Sequence, residues 1–274
     1  MTDPGASSAA LAVTLQVAEQ VVVGTSVLAT LRVANRGSRA VAVSSRLNLM
    51  EGDVQLLVTC PGGATRVVAG AGGQPDTALR QVSLAPGQQI AAAFNLLDTS
   101  VGALFTEPGS YSLQAKYWPT PGDEPVASPA VTVAARAPNT DAERGAAALL
   151  QDEAARRALV LGESESAPDA LRRLADGFAG TPDGELASLL LAGGALAAGE
   201  QADARTDVFR ASDPETVALR LTALATPFNH TAPLLTDAFA ASWASPRDAP
   251  DTDAAASAVP DRALQIARGQ PFTP

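Results

Sequence analysis

Between Ala10 and Ala135, apolar residues recur at every second position. Leu11, Val13, Leu15 and Val17 alternate with Ala12, Thr14 and Gln16, and Val27, Ala29, Leu31 and Val33 with Leu28, Thr30 and Arg32. Val54, Leu56 and Val58 follow the same rule, as do Ile90, Ala92, Phe94 and Leu96. A period of two places one face of a strand in a core and the other in water, the pattern of antiparallel sheets. Turn residues separate the runs at Asn35-Arg36-Gly37, Glu51-Gly52-Asp53, Pro61-Gly62-Gly63, Ala85-Pro86-Gly87 and Pro108-Gly109. Seven to nine short strands at this spacing predict a β-sandwich. Tyr111 opens a late strand after the Pro108-Gly109 turn, with Leu113, Ala115 and Tyr117 on its face, where a tyrosine corner is expected.

After Ala135 the period changes to that of a helix. Arg136-Ala137-Pro138-Asn139 reads as a linker, and Thr140-Asp141-Ala142-Glu143 as a capping box. Ala146, Leu149, Leu150, Ala154, Ala158 and Leu161 predict one helix ended by Gly162. Further helices are expected from Pro168, from Thr181-Pro182 with a buried stripe at Leu186, Leu189, Leu190 and Ala197, across Ala202–Arg210, from Asp213-Pro214-Glu215, and over Pro233–Trp243. The uneven spacing of the proline openings argues against a repeat array. From Ser245, Pro246, Asp248, Pro250, Asp251 and Asp253 mark an extended acidic tail, within which Ala263-Leu264-Gln265-Ile266-Ala267 reads as a frayed end or a short docking element.

The run Val27–Gly37 followed by Ala40-Val41-Ala42-Val43, together with Leu84-Ala85-Pro86-Gly87-Gln88 and Pro108-Gly109-Ser110-Tyr111, resembles the strand and turn pattern of bacterial immunoglobulin-like domains, in particular the intracellular proteinase inhibitor type. The resemblance covers about half the chain. It implies recognition of a protein through loops, and no inhibitory motif matches a residue here. The fold class expected is α+β as two domains: an Ig-like sandwich over 9–135, a linker at 136–140, an Ala-rich helical domain over 141–244 and the tail over 245–274.

At 274 residues with 46% hydrophobic content, the chain can bury two cores, and with 4% aromatics those cores rest on Ala, Val and Leu. A net charge of −10 disfavours binding to a phosphate backbone. Cys60 is the single cysteine, so no internal disulfide forms. Met1–Ala10 lacks the basic and apolar segments of a signal peptide, and the apolar run Leu186–Ala198 is shorter than the roughly 20 residues a membrane helix needs. A cytoplasmic protein without membrane insertion is the expectation.

Chemistry-bearing residues are sparse. His230 is the only histidine, so a Cys60–His230 pair is the one thiol-imidazole site available, and it would span both domains. One Cys and one His fall short of a four-ligand zinc site. Asp248, Asp251 and Asp253 lack the calcium-loop pattern, whereas Asp98, Glu107, Asp123 and Glu124 are loop carboxylates able to form a calcium site at one end of a sandwich. Gly162–Ser166 resembles a nucleophile elbow but ends on Ser and lies between helices. We therefore expect no catalytic, cofactor-binding or metal-binding residues. The candidate partner-binding residues are Trp118, Trp243, Leu264 and Ile266, the two tryptophans fitting either a domain-interface plug or a partner anchor. The function expected is a non-enzymatic protein-binding or assembly module of a larger bacterial complex, with a protein partner or a homo-oligomer. An intracellular protease inhibitor, with exposed loops at Pro61–Gly73 and Asp98–Phe105, and a carboxylate-based hydrolase are the alternatives.

Overall fold

Alternation in the first half produces the strands it predicts. The computed structural model describes residues 10–69, 80–100, 102–163, 165, 167–199, 209, 213–244 and 254–274. Strands β1 (Leu11–Gln16), β3 (Leu28–Asn35) and β8 (Gln89–Asn95) make one antiparallel sheet in the order β1-β3-β8. A larger sheet centres on β9 (Gly109–Tyr117), flanked by β11 (Val131–Arg136) and β5 (Val54–Thr59), with β6 (Thr65–Val68) beyond β5. Beyond β11 lies β2 (Gln20–Val22), the one parallel pairing, and β10 (Val126–Ala127) pairs with the end of β9. A ribbon of β4 (Val41–Ser44) and β7 (Gln81–Leu84) stands apart in pairing.

All three share one apolar cluster. Leu31, Val33, Ile90 and Phe94 come from the first sheet, Leu56, Val58, Leu113 and Val133 from the second, and Val43 and Leu84 from the ribbon. The register explains the sorting: Val54 faces Tyr117, Leu56 faces Ala115 and Val58 faces Leu113, so inward residues pair with inward residues across strands. Tyr111 is 1% exposed, its hydroxyl donates to the Glu107 carbonyl at 3.1 Å, and the Phe105 ring meets it edge-on at 4.9 Å. That is the tyrosine corner expected from the sequence. Gly109 is required beside it, because a Cβ there would lie 2.6 Å from Pro61 Cγ.

Among the described residues there are seven helices. In α1 (Asp141–Leu149) the Thr140 and Glu143 side chains cap reciprocally, as read from the sequence. The single helix predicted to run on to Gly162 is instead two: Asp152 accepts from the Ala154 amide at 2.8 Å and caps a new helix, α2 (Glu153–Leu161). Gly162 ends α2 at φ 78°. Pro occupies the first position of α3 (Pro168–Gly177), α4 (Pro182–Ala197) and α5 (Pro214–Leu224), where its missing N–H costs nothing. Leu186, Leu189 and Leu190 of α4 are buried as expected, and Ala197 is exposed. After α6 (Ala232–Ala244) comes the main departure. The C-terminal part of the tail expected to be extended forms α7 (Ala254–Ala267), an Ala-rich segment in which Ala263 and Ile266 are fully buried against the other helices.

The two halves share a boundary that sequence alternation does not show. Met50, Ala91 and Leu97 belong to the same apolar cluster as Leu159, Leu171, Leu190, Leu221 and Ile266. On β8, therefore, both faces are covered, with Ala91 and Ala93 each 1% exposed. Two positions on its outer edge are paired too. The Ala93 amide donates to Thr222 Oγ1 of α5 at 2.8 Å, and Gln89 exchanges two 2.9 Å backbone hydrogen bonds with Phe272 at the chain's end. A covered edge removes the unpaired backbone groups that invite aggregation. Among the described residues no helix is long and apolar enough to cross a membrane. Of the exposed loop expected over Pro61–Gly73, Thr65–Val68 is instead strand β6 and the part from Gly70 onward lies outside the described residues. The acidic residues Asp248, Asp251 and Asp253 also lie outside them, as does the helix expected over Ala202–Arg210 apart from Phe209, which is buried against Phe239.

Candidate functional site

The last turn of α5 and the first of α6 are joined by a braced corner. Asn229 is 6% exposed; its amide donates to the Leu224 carbonyl at 2.9 Å, and its Oδ1 accepts from the Thr231 amide and hydroxyl at 2.9 and 2.8 Å. Thr226 donates from its hydroxyl to the Leu161 carbonyl, tying the corner to α2. Only glycine fits at 162, since a Cβ would sit 2.6 Å from the Asn229 side chain. This fixed corner, the start of α6 and the end of α7 enclose an open groove of about 400 Å³. Ala225, Pro227, Ala232, Pro233 and Ala267 give it apolar lining, while Thr226, Asn229, Thr236, Asp237, Arg80 and Arg268 give it polar groups.

Arg80 reaches this groove from the strand half, just before β7. A buried acid holds it there. Glu51, whose side chain is 0% exposed, accepts from Arg80 Nη2 at 2.6 Å, and its other oxygen accepts from the Asn48 amide. Asn48 Oδ1 in turn accepts from the backbone amides of Met50 and Glu51 at 2.9 and 3.0 Å. The Arg80 side chain itself remains 62% exposed. A guanidinium that is anchored at one end and open at the other loses little freedom on meeting a ligand.

Two further polar sites are buried. Arg46 grips Asp53 bidentately, Nε to Oδ2 and Nη2 to Oδ1 both at 2.7 Å, and Ser44 donates to the same Oδ2 at 2.5 Å. The Asp53 hydrogen bond and charge hold the Arg46 pKa above its ordinary value. Tyr117 donates to the Ser44 carbonyl at 2.6 Å; its burial, and next the Asp53 charge, push its pKa well up. Elsewhere, Asp183 at the start of α4 is 1% exposed and accepts from the Ser26 amide at 2.8 Å, joining the helices to the strands. Burial raises its pKa, against the lowering effect of the Ser26 hydrogen bonds.

The residues picked out from sequence do not converge. Trp118 is half-buried, with its backbone amide donating to the Asp53 carbonyl at 2.9 Å. Trp243 falls in α6, its side chain outside the described residues. Leu264 is half-buried against the helical core and Ile266 is fully buried, so Ile266 is used inside the chain rather than offered to a partner. Cys60 packs at the edge of the strand cluster, while His230 is exposed in the corner before α6. Asp98 faces Arg156 at 3.6 Å, and among the described residues no three His, Cys, Asp or Glu side chains gather as a metal group would require. The segment Asp98–Phe105 was expected to be an exposed loop; instead Thr99, Leu104 and Phe105 are buried, since Phe105 packs on Tyr111. The groove itself went unread in the sequence, because its residues are scattered from position 80 to position 268 and none carries a motif.

No family model and no curated protein matches the chain. Solved structures that resemble part of it include the CARDB domain of a Pyrococcus furiosus protein in complex with di-metal ions, at 16% identity, covering 46% of this chain and 87% of that domain, with a TM-score of 0.27. A β-glucosidase from Listeria innocua in complex with glucose matches at 14% identity and a β-glucosidase from Erythrobacter marinus at 19%, each over 46% of this chain and with a TM-score of 0.27. The match spans only 16% and 15% of those two enzymes. None of the three is a proteinase inhibitor, and likenesses at this TM-score carry no argument about activity.

Proposed function

We propose that this chain is a non-enzymatic protein-binding module, an Ig-like β-sandwich fused along β8 to a helical unit, that serves as a docking component of a larger assembly. The tyrosine corner at Tyr111 supports the Ig-like reading. The observation that carries the binding reading is the groove at the junction of the two halves, whose corner is fixed by Asn229 and whose Arg80 is held in place by Glu51. A rigid concave surface with a few placed polar groups is the general form of a recognition site.

The test is capture from the source lysate by immobilised protein, wild-type against Pro233→Trp. Pro233 is exposed and lines the groove, so the indole fills the groove without entering the core. A partner retained stoichiometrically by the wild type and lost by the variant, at unchanged melting temperature, is expected. Equal retention by both proteins, or none by either, would sink the reading.

A further inference from the structure

Phe272 pairs with a strand edge in the opposite half of the molecule. β8 is an outer strand of the sheet β1-β3-β8, and an edge strand leaves backbone amides and carbonyls open for pairing. Phe272 closes one such position. It meets Gln89 as an antiparallel bridge, with two backbone hydrogen bonds of 2.9 Å. Its side chain is 1% exposed and belongs to the same apolar cluster as Ala91 of β8 and Leu221 of α5.

The sequence after α7 sets that approach. Gly269, at φ 63°, caps the helix in a left-handed turn. The Gln270 amide donates to the Gln265 carbonyl at 2.8 Å and the Gly269 amide to the Ile266 carbonyl at 2.9 Å. This paired cap turns the chain sharply, and Pro271 follows where a helix does not continue. Upstream, Ala263 and Ile266 are fully buried, and Arg262 pairs with Glu215 of α5. One helix and one bridging residue thus grip the helical unit and the sandwich at once.

The neighbouring tie is of a different kind. Further along β8, the Ala93 amide donates to Thr222 Oγ1 of α5, a bond in which α7 takes no part. The end of α7 also lines the groove, through Ala267 and Arg268, so that wall stands only while α7 is seated.

We infer that residues 254–272 form a strap that seats and releases as a single unit, closing the Gln89 edge and completing the groove wall when seated. A lone helix carries no core of its own, so it opens at lower cost than the strands and helices beneath it. The strap's bearing on binding rests on the groove reading above; its release as a unit does not.

The test is amide hydrogen exchange of the full chain, resolved by NMR, in the wild type and two variants. Arg262→Gln cuts the ion pair with α5 at an exposed side chain. Exchange at the Ile266, Phe272 and Gln89 amides is expected to quicken together about threefold, with Ala93 and β9 unchanged. Phe272→Ala should quicken the Ile266 and Gln89 amides at least about tenfold and again spare Ala93 and β9. A response of Ala93 and β9 equal to that of Gln89 would make Phe272 an ordinary core residue and overturn the proposal. Wild-type rates at Phe272 and Gln89 in Arg262→Gln would overturn it as well, because α7 and the bridge would then open separately. If the strap amides behave as expected while Pro233→Trp leaves partner capture unchanged, the strap stands and the groove reading falls. If they do not while Pro233→Trp abolishes capture, the reverse holds.

Discussion

Of the three carboxylates buried among the described residues, Asp53 and Asp183 are held by opposite means. Asp53, beside the strand ribbon, has a full counter-charge: Arg46 meets both its oxygens at 2.7 Å and Ser44 adds a hydroxyl. Asp183, between strands and helices, has the Ser26 amide and hydroxyl, together with the amide dipoles at the start of α4. The cation makes the difference. An ion pair in a core keeps its acid charged, and removing one member strands the other; a carboxylate held by hydrogen bonds can relieve its burial by taking up a proton. The first arrangement fixes the path of the β4–β5 connection, and the second makes the strand–helix junction sensitive to acid.

The largest effect is expected at the ion pair. Arg46→Met leaves Asp53 charged and buried without its cation, at a cost of about 3–5 kcal/mol in urea denaturation. The double variant Arg46→Met/Asp53→Leu removes both charges and should recover more than half of that loss. A double variant no more stable than the single one would show that packing around Arg46, rather than charge pairing, holds this connection.

At the junction the expected loss is smaller. Asp183→Ala leaves the buried Ser26 amide without its acceptor and costs about 1–3 kcal/mol, whereas Asp183→Asn keeps an acceptor oxygen and should cost less than about 1 kcal/mol. The pH response has a definite sign. The folded pKa of Asp183 lies above its unfolded value of 3.8, so the folded state binds the proton more tightly. Stability from this residue therefore increases as pH falls from neutral through the folded pKa, and the gain is complete below the unfolded value. Asp183→Asn should remove that gain; a variant with the wild-type pH slope would place the response elsewhere.

What could be read in advance was what depends on neighbours in sequence. The alternation around β9, the corner at Tyr111, the Thr140–Glu143 box and the proline-led starts of α3, α4 and α5 all lie within a few residues of their signal. Three features escaped for different physical reasons. On β8, Ala91 and Ala93 alternate as an exposed face would, yet helices cover them, and small residues look alike in water and under a helix. Ahead of α7, Pro246, Asp248, Pro250, Asp251 and Asp253 argue for an extended chain, but Ala263 and Ile266 find a core contributed by distant helices, and Arg262 pairs with Glu215 of α5. The groove and two of the three buried acids depend on partners tens of residues away: Glu51 with Arg80, Asp183 with Ser26. Glu51-Gly52-Asp53 was legible as a turn and illegible as the source of two buried carboxylates.

A third acid, Glu143, sharpens the contrast at the surface, and its effects are the smallest. It caps α1 with Thr140 and meets Arg136 of β11 through both oxygens, at 2.5 and 2.8 Å, so it ties the linker to the strands. Thr140→Ala removes half of the capping box and should cost about 1 kcal/mol, read as a lower urea midpoint at unchanged slope. Glu143 differs from Asp183 in the sign of its titration. The Arg136 hydrogen bond, followed by the Asn139 amide, lowers its pKa to about 2 from 4.5, so its contribution is present above the unfolded value and is lost as pH falls from about 4.5 towards 2. Asp183 and Glu143 thus pull in opposite directions on acidification. Glu143→Gln should make the urea midpoint fall less steeply below pH 4.5, and Asp183→Asn should make it fall more steeply, because the opposing gain is gone. If both substitutions shift the acid limb the same way, a single shared charge network rather than two independent sites governs the response, and the contrast between paired and unpaired acids in this fold would have to be abandoned.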